Sequence, residues 1–159
     1  MIYAAEIDGI NLFLSSGYRD YNTQLFLYNR KVNEFKRLGY SDEEAEAAAA
    51  LKVAPPNTSE HQTGLAVDIL STSHRTMDKE FGNCDAGKWL AENSYKYGFV
   101  LRYPEGKENI TKIQYEPWHF RYVGKEAAEI MYRHNITLEE FVKSVNERTA
   151  KYMVEVTNE

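Results

Sequence analysis

The chain has a single cysteine, Cys84, among its 159 residues. No intramolecular disulfide can form, and a metal site built from cysteines is excluded. Cys84 reads as a bystander thiol, and so low a count fits a reducing compartment and equally many exported bacterial proteins. Basic charge is also short. Nineteen Lys and Arg stand against 24 Asp and Glu, a formal net charge of -5. A nucleic-acid binder needs a basic face, so nucleic acid is not an expected partner. No apolar run approaches the roughly 20 residues of a membrane-spanning helix, so no transmembrane segment is expected. Met1 to Ile10 contains Glu6 and Asp8 and no basic residue, which does not fit a signal peptide. Repeats, low-complexity tracts and linkers are lacking as well.

What is present suits one domain over 1–159, since an apolar share of 43% can build a core at this length. Twelve tyrosines offer flat surface with a hydroxyl, useful for peptide or sugar recognition and equally for half-buried packing. Leu12 to Ser16 is a short apolar strand broken by Gly17. Apolar residues then recur at Tyr21, Leu25, Tyr28, Val32 and Phe35, one face of a helix capped by Asp20 and stopped by Gly39. Ser41-Asp42-Glu43-Glu44 is a capping box opening an alanine-rich helix to about Lys52. Pro55-Pro56-Asn57 forces a loop. Leu65 to Leu70 reads as a buried strand, and residues 71–84 as irregular. A helix from Ala86 to Tyr97 is expected, capped by Asp85 and ended by Gly98. Strands are expected at Phe99–Tyr103, Ile113–Tyr115 and His119–Val123, and a helix at Lys125–His134. Thr137-Leu138-Glu139-Glu140 is a second capping box, opening the last helix. The mixture is an α+β domain with helices packed on a small, largely antiparallel sheet.

Two segments concentrate chemistry. Ser59-Glu60-His61-Gln62-Thr63-Gly64-Leu65-Ala66-Val67-Asp68 and Glu116-Pro117-Trp118-His119 hold two of the four histidines, with Asp68 seven residues after the first and Glu116 three before the second. Two imidazoles and a carboxylate make a three-ligand zinc site with an open fourth position, and a nearby glutamate is the base such a site needs for hydrolysis. His61 and Asp68 are not on a helix, and Gly64 lets the chain turn so that they converge. A structural histidine beside an unrelated aspartate is the alternative. A carboxylate inside an apolar strand, however, needs a cation or several donors. Residues three apart on a straight strand face opposite sides. Pro117 interrupts the ladder, so Glu116 and His119 can be aimed into one cleft; a solvated Glu116 beside a core Trp118 is the other reading. Arg19, after Gly17 at a strand end, fits either a surface ion pair or the recognition of a carboxylate or oxyanion. His74 and His134 have no acidic partner at ligand spacing and are left out of the site.

Taken together, Ser59-x-His61-x-x-Gly64-x-Ala66-x-Asp68 and Glu116-Pro117-Trp118-His119 resemble the zinc motifs of the VanY-type D-alanyl-D-alanine carboxypeptidases. These belong to the group of lysostaphin-like enzymes, D-Ala-D-Ala metallopeptidases and Hedgehog-like domains. Ser16-Gly17-Tyr18-Arg19-Asp20-Tyr21-Asn22-Thr23-Gln24 resembles the family's substrate-arginine segment. Trp89-Leu90, Gly98-Phe99 and Arg102-Tyr103-Pro104-x-Gly106-Lys107-Glu108 also fit, so the likeness spans residues 12–124. It implies a Hedgehog/DD-peptidase-like fold and one zinc ion held by His61, Asp68 and His119. It makes Glu116 the general base that deprotonates the attacking water and passes the proton to the leaving amine, and Arg19 the residue that polarises the scissile carbonyl. Ser59 and Gln24 match substrate-contacting positions, and Trp118 lines the cleft or props the motif strand. One departure is Lys112, where the family usually has glycine.

The activity implied is removal of the terminal D-alanine from peptidoglycan stem peptides by a monomer. Alternatives with the same site are LD-carboxypeptidase and L-Ala-D-Glu endopeptidase action. A non-catalytic cell-wall-peptide-binding module or zinc-dependent regulatory domain would have no need of Glu116. Residues 40–58 and 71–85 are expected to shape the specificity. The resemblance also implies a segment preceding Met1 in the full-length protein, holding an export signal or membrane anchor, and hence an extracytoplasmic place.

Overall fold

The computed structural model describes residues 1–157, with side chains through Tyr152. Its centre is a four-stranded antiparallel sheet in the order β1-β2-β4-β3, formed by β1 (Leu12–Ser16), β2 (Ala66–Ser71), β3 (Phe99–Leu101) and β4 (His119–Tyr122). Around it among the described residues lie α1 (Ile2–Ile7), α2 (Tyr21–Arg37), α3 (Asp42–Ala50), α4 (Asp85–Asn93), α5 (Glu108–Thr111), α6 (Lys125–His134) and α7 (Leu138–Thr157). The α+β architecture is the one expected.

The strand β2 is interior on both faces, which is why its sequence runs apolar rather than alternating. Ile69 and Leu70 point to opposite sides, and both are buried in a core with Ala5, Leu12, Phe81, Ala86, Leu90 and Phe120. Two satellites flank this core. Val32, Ala45 and Ala49 join α2 to α3. Val100, Ala128 and Met131 join β3 to α6, with Leu138 and Phe141 of α7 packed against them.

Helix starts follow their side-chain chemistry. Asp20 accepts from the Thr23 N–H at 2.7 Å. Ser41 and Glu44 complete the capping box of α3, and Thr137 and Glu140 satisfy each other's backbone N–H groups at the head of α7.

Three expectations need correction. Asp85 is the first residue of α4 rather than its cap; Cys84 occupies the cap position without a side-chain bond. The helix expected to Tyr97 tightens into a 3₁₀ turn at Ser94–Tyr97 before Gly98, whose φ of +84° only glycine adopts readily. A Cβ on Gly98 would also lie 2.7 Å from the Tyr122 ring. Ile113–Tyr115 forms no strand. Lys112 turns left-handed there (φ 62°), and the Thr111 hydroxyl engages both the N–H and the C=O of Ile113, competing locally with any ladder.

Candidate active site

Antiparallel pairing of β2 with β4 sets Asp68 directly opposite His119. This register brings together two groups fifty-one positions apart in sequence, and the Asp68 Oδ1 to His119 Nδ1 distance is 3.0 Å. His61 arrives from a 3₁₀ turn, Glu60–Thr63, where a plain loop was expected. Gly64 ends that turn at φ 72° and sends the chain back into β2, a reversal that a side-chain-bearing residue would resist. The His61 Nδ1–H donates to the Gly17 carbonyl at 2.7 Å, which leaves Nε2 facing Asp68 Oδ2 at 3.2 Å.

His61, Asp68 and His119 are all buried, and their ligand atoms lie within 4.8 Å of one another. A tetrahedral zinc with bonds near 2.0–2.2 Å needs ligand atoms about 3.3 Å apart. An N, N, O donor set whose atoms all lie within 4.8 Å of one another is the kind that a zinc ion takes up. Without a metal, the neighbouring histidines balance the Asp68 charge. Burial opposes its ionisation, but bonds from His119 and His61 outweigh that and hold it at about 2. For His119, burial opposes the charged ring, yet Asp68 and Glu60 raise it to about 9. A dication among the three would draw every one of these groups to its deprotonated form.

Glu116 reaches the same cleft because Glu116-Pro117-Trp118-His119 is a turn, not a straight strand. The His119 N–H bonds the Glu116 carbonyl at 3.1 Å, and the Glu116 N–H bonds the Tyr103 carbonyl at 3.1 Å. Its carboxylate ends 4.0 Å from His119 Nδ1. Burial pushes the Glu116 carboxyl up to about 7; His119, Arg19 and Lys52 pull against that, and Asp68 adds to it. A carboxylate poised there is suited to taking and returning a proton near neutral pH.

Arg19 stands on the opposite side of Asp68, with Nη2 3.4 Å from Asp68 Oδ2. Its Nη1 donates to Gln24 Oε1 at 2.9 Å, and Gln24 Nε2 donates to the Ala54 carbonyl at 2.6 Å. Gln24 is fully buried with both ends of its amide engaged, so the structure places it beneath Arg19 rather than on the cleft surface. Ser59 and Trp118 both line the cleft, and Trp118 also packs on the main core. The cleft itself has a volume of about 890 Å³, and Arg19, Arg30, Lys31, Lys52 and Lys79 are among the residues that line it.

Sequence reasoning passed over Glu60. It is largely buried, with Oε1 2.8 Å from Arg102 Nε and 3.3 Å from Arg121 Nη1, and Oε2 facing His119 Nε2 at 3.6 Å. Burial opposes its charge, but His119 and the two arginines hold its carboxyl at about 2. The one local signal for it was position, wedged between Ser59 and His61.

Comparison with known proteins agrees with this geometry. The family model described as VanY, D-alanyl-D-alanine carboxypeptidase, matches residues 1–125. A D-alanyl-D-alanine carboxypeptidase of Enterococcus faecalis (strain ATCC 700802 / V583) is 44% identical over 142 residues, which is 89% of this chain and 51% of that protein. The chain thus spans about half the length of the curated relatives it matches. A mutant of the vancomycin-resistance D,D-pentapeptidase VanY from a VanB-type cassette, solved in complex with Zn(II), superposes with a TM-score of 0.78 at 46% identity, covering 89% of this chain and 76% of that one. The LD-carboxypeptidase LdcB superposes equally, with a TM-score of 0.78 at 44% identity over 90% of this chain and 63% of that one. No helix among the described residues is long and apolar enough to cross a membrane. With its ligand triad, its buried glutamate and a family match over residues 1–125, the chain belongs to the VanY family of D-alanyl-D-alanine carboxypeptidases.

Proposed function

We propose that this chain is a zinc-dependent D-alanyl-D-alanine carboxypeptidase that removes the C-terminal D-alanine from peptidoglycan stem peptides. The observation that carries this reading is the convergence of Glu116 and Arg19 on one buried His61–Asp68–His119 cluster. A peptide-binding module has use for the cleft and none for a buried glutamate held near neutral pKa.

A zinc ion held by the cluster supplies Lewis acidity, acidifying water and polarising the scissile carbonyl. The chain's own residues do the rest. Glu116 accepts the proton of the attacking water and delivers it to the leaving amine of D-alanine. Arg19, oriented by Gln24, faces the carbonyl oxygen as it gains negative charge. The Gly17 carbonyl fixes the His61 ring through Nδ1, so Nε2 is the atom that would hold the metal. The cations on the cleft wall suit a peptide that ends in a carboxylate. Every residue of the site comes from one chain, so a monomer suffices. The substrate places the enzyme outside the cytoplasmic membrane.

The near-equal likeness to LdcB keeps LD-carboxypeptidase action as a second reading, and one experiment decides. The zinc-loaded protein is incubated with pentapeptide and tetrapeptide stems, and products are identified by mass. Loss of one D-alanine from the pentapeptide is the expected result. Release from the tetrapeptide alone would establish the LD reading, and an internal cut between L-Ala and D-Glu the endopeptidase reading. No product from either stem, with zinc bound, would overturn carboxypeptidase function.

A further inference from the structure

The ligand His119 must carry its proton on Nε2 when Nδ1 faces the metal. That Nε2 is buried without a hydrogen-bond partner, and the nearest acceptor, Glu60 Oε2, is likewise buried and unpartnered, 3.6 Å away. Glu60 is not free to move. Its other oxygen is held by Arg102 Nε at 2.8 Å. Arg102 in turn forks onto Glu139 of α7, with Nη2 2.7 Å from Oε1 and Nη1 3.1 Å from Oε2. A second route runs through Tyr103. The Arg102 guanidinium lies 4.8 Å over the Tyr103 ring, which stacks on the His119 imidazole at 4.9 Å between centroids.

We propose that Glu139 of α7 acts, through Arg102 and Glu60, as a positioning residue for the zinc ligand His119, so that α7 is part of the metal site. This rests on the reading of the triad as a zinc site. It goes beyond the family description, because the family match ends at residue 125 and α7 begins at Leu138. The planar bidentate pair is the right device for it. A guanidinium forked by a carboxylate has its plane fixed, and the remaining Nε–H is then aimed in one direction. Here that direction is Glu60. With Oε1 held by Arg102 and Arg121, Oε2 is the oxygen left facing His119 Nε2. The first turn of α7 is also a favourable place for any acid, so the alternative is that Glu139 merely starts its helix.

The test reads zinc affinity by chelator competition on the purified protein, with no peptide present. Glu60→Gln is expected to weaken zinc about 10- to 100-fold, as loss of an outer-shell partner does. Glu139→Ala is expected to weaken it about threefold or more, the size of a coupling within one salt-bridge network, with Glu139→Gln between wild type and Ala. In the Glu60→Gln background, Glu139→Ala should cost nothing further. Lys107→Met removes the neighbouring anchor of α7, Lys107 to Glu140 at 3.3 Å; it should lower the melting temperature and leave zinc affinity alone. An unchanged affinity in Glu139→Ala, the same loss in both backgrounds, or an equal loss in Lys107→Met would overturn the proposal. A wild type that binds zinc and cleaves no stem peptide would sink the proposed activity and leave this inference standing.

Discussion

On one side of the cleft, β2 and β4 carry Asp68 and His119 on a backbone ladder, His61 comes from the 3₁₀ turn before β2, and a charge network runs from His119 through Glu60 and Arg102 to Glu139. On the other, α2 and α3 meet over a small cluster of Val32, Ala45 and Ala49 with Tyr28 and Phe35 packed against it, while Phe26, Leu38 and Leu51 stay exposed. On the first side the Gly17 carbonyl holds His61 Nδ1, and Glu60, itself anchored by Arg102, faces His119 Nε2. The second touches the chemistry at one point, where Gln24 links Arg19 to the Ala54 carbonyl. The contrast suggests a division of labour: one wall keeps geometry, the other presents Arg19 and adjusts around a peptide.

The largest expected effect breaks the chemistry while sparing the braced wall. Glu116→Gln should retain zinc by metal analysis and lose about 10²- to 10⁴-fold in turnover, the usual worth of a positioned base. Turnover that survives this change would remove Glu116 from the base's role. The pH profile carries the same signature. A base acts in its ionised form, so kcat/KM should fall about tenfold per pH unit below the Glu116 pKa. Burial pushes that carboxyl up to about 7 without a metal. A dication nearby favours the anion, so the acid limb of the zinc enzyme should lie below 7. A limb at or above 7 would contradict the sign.

Next in size is the single link of the weaker wall. Gln24→Leu keeps the volume of the side chain but leaves the Ala54 carbonyl and the Arg19 guanidinium without their partner. A buried group so orphaned costs about 1–3 kcal/mol, read as a lower urea midpoint. Turnover should fall with it while zinc affinity stays put, because no bond joins Gln24 to the triad. Zinc loss in Gln24→Leu would mean the two walls are one unit. Ala49→Gly should cost about 1 kcal/mol from helix propensity and the lost core methyl, and should move KM more than zinc affinity.

Much of this was legible beforehand, for unequal reasons. Local signals carried the elements: Leu12–Ser16 and Lys125–His134 sit where apolar pattern and breakers put them, and the three caps at Asp20, Ser41 and Thr137 hold. The site residues came from motif likeness, since spacing alone could not tell a zinc aspartate from a buried structural one. Glu60 escaped because a glutamate beside a histidine reads as solvated. Its partners Arg102 and Arg121 lie far along the chain, and no local period reports a contact made by sheet register. Gln24 was legible as a site position and not as a buried one, for the same reason: its burial depends on the loop through Ala54. Ile113–Tyr115 misled because an apolar-polar-aromatic run looks like a strand, whereas a left-handed Lys112 turns the chain just before it.

That lysine supplies the smallest test of the contrast. Lys112 ends α5 at φ 62°, ψ 9°, and the segment after it runs along the cleft to Glu116. A Cβ in the left-handed region costs about 1–2 kcal/mol, and Lys112 Nζ returns only an exposed bond to the Asn109 carbonyl. Glycine removes the strain but gives the unfolded chain more freedom, worth up to about 1 kcal/mol in the other direction. Lys112→Gly should therefore be more stable than Lys112→Ala, which keeps the Cβ, by about 0.5–1 kcal/mol, measured as urea midpoints at equal slope. Zinc affinity should be identical in the two, because no bond of the charge network reaches this loop. If alanine matches glycine, the left-handed geometry at 112 is not a strain on the fold. If zinc affinity follows the substitution, the metal side of the cleft is coupled to the loop that carries its base.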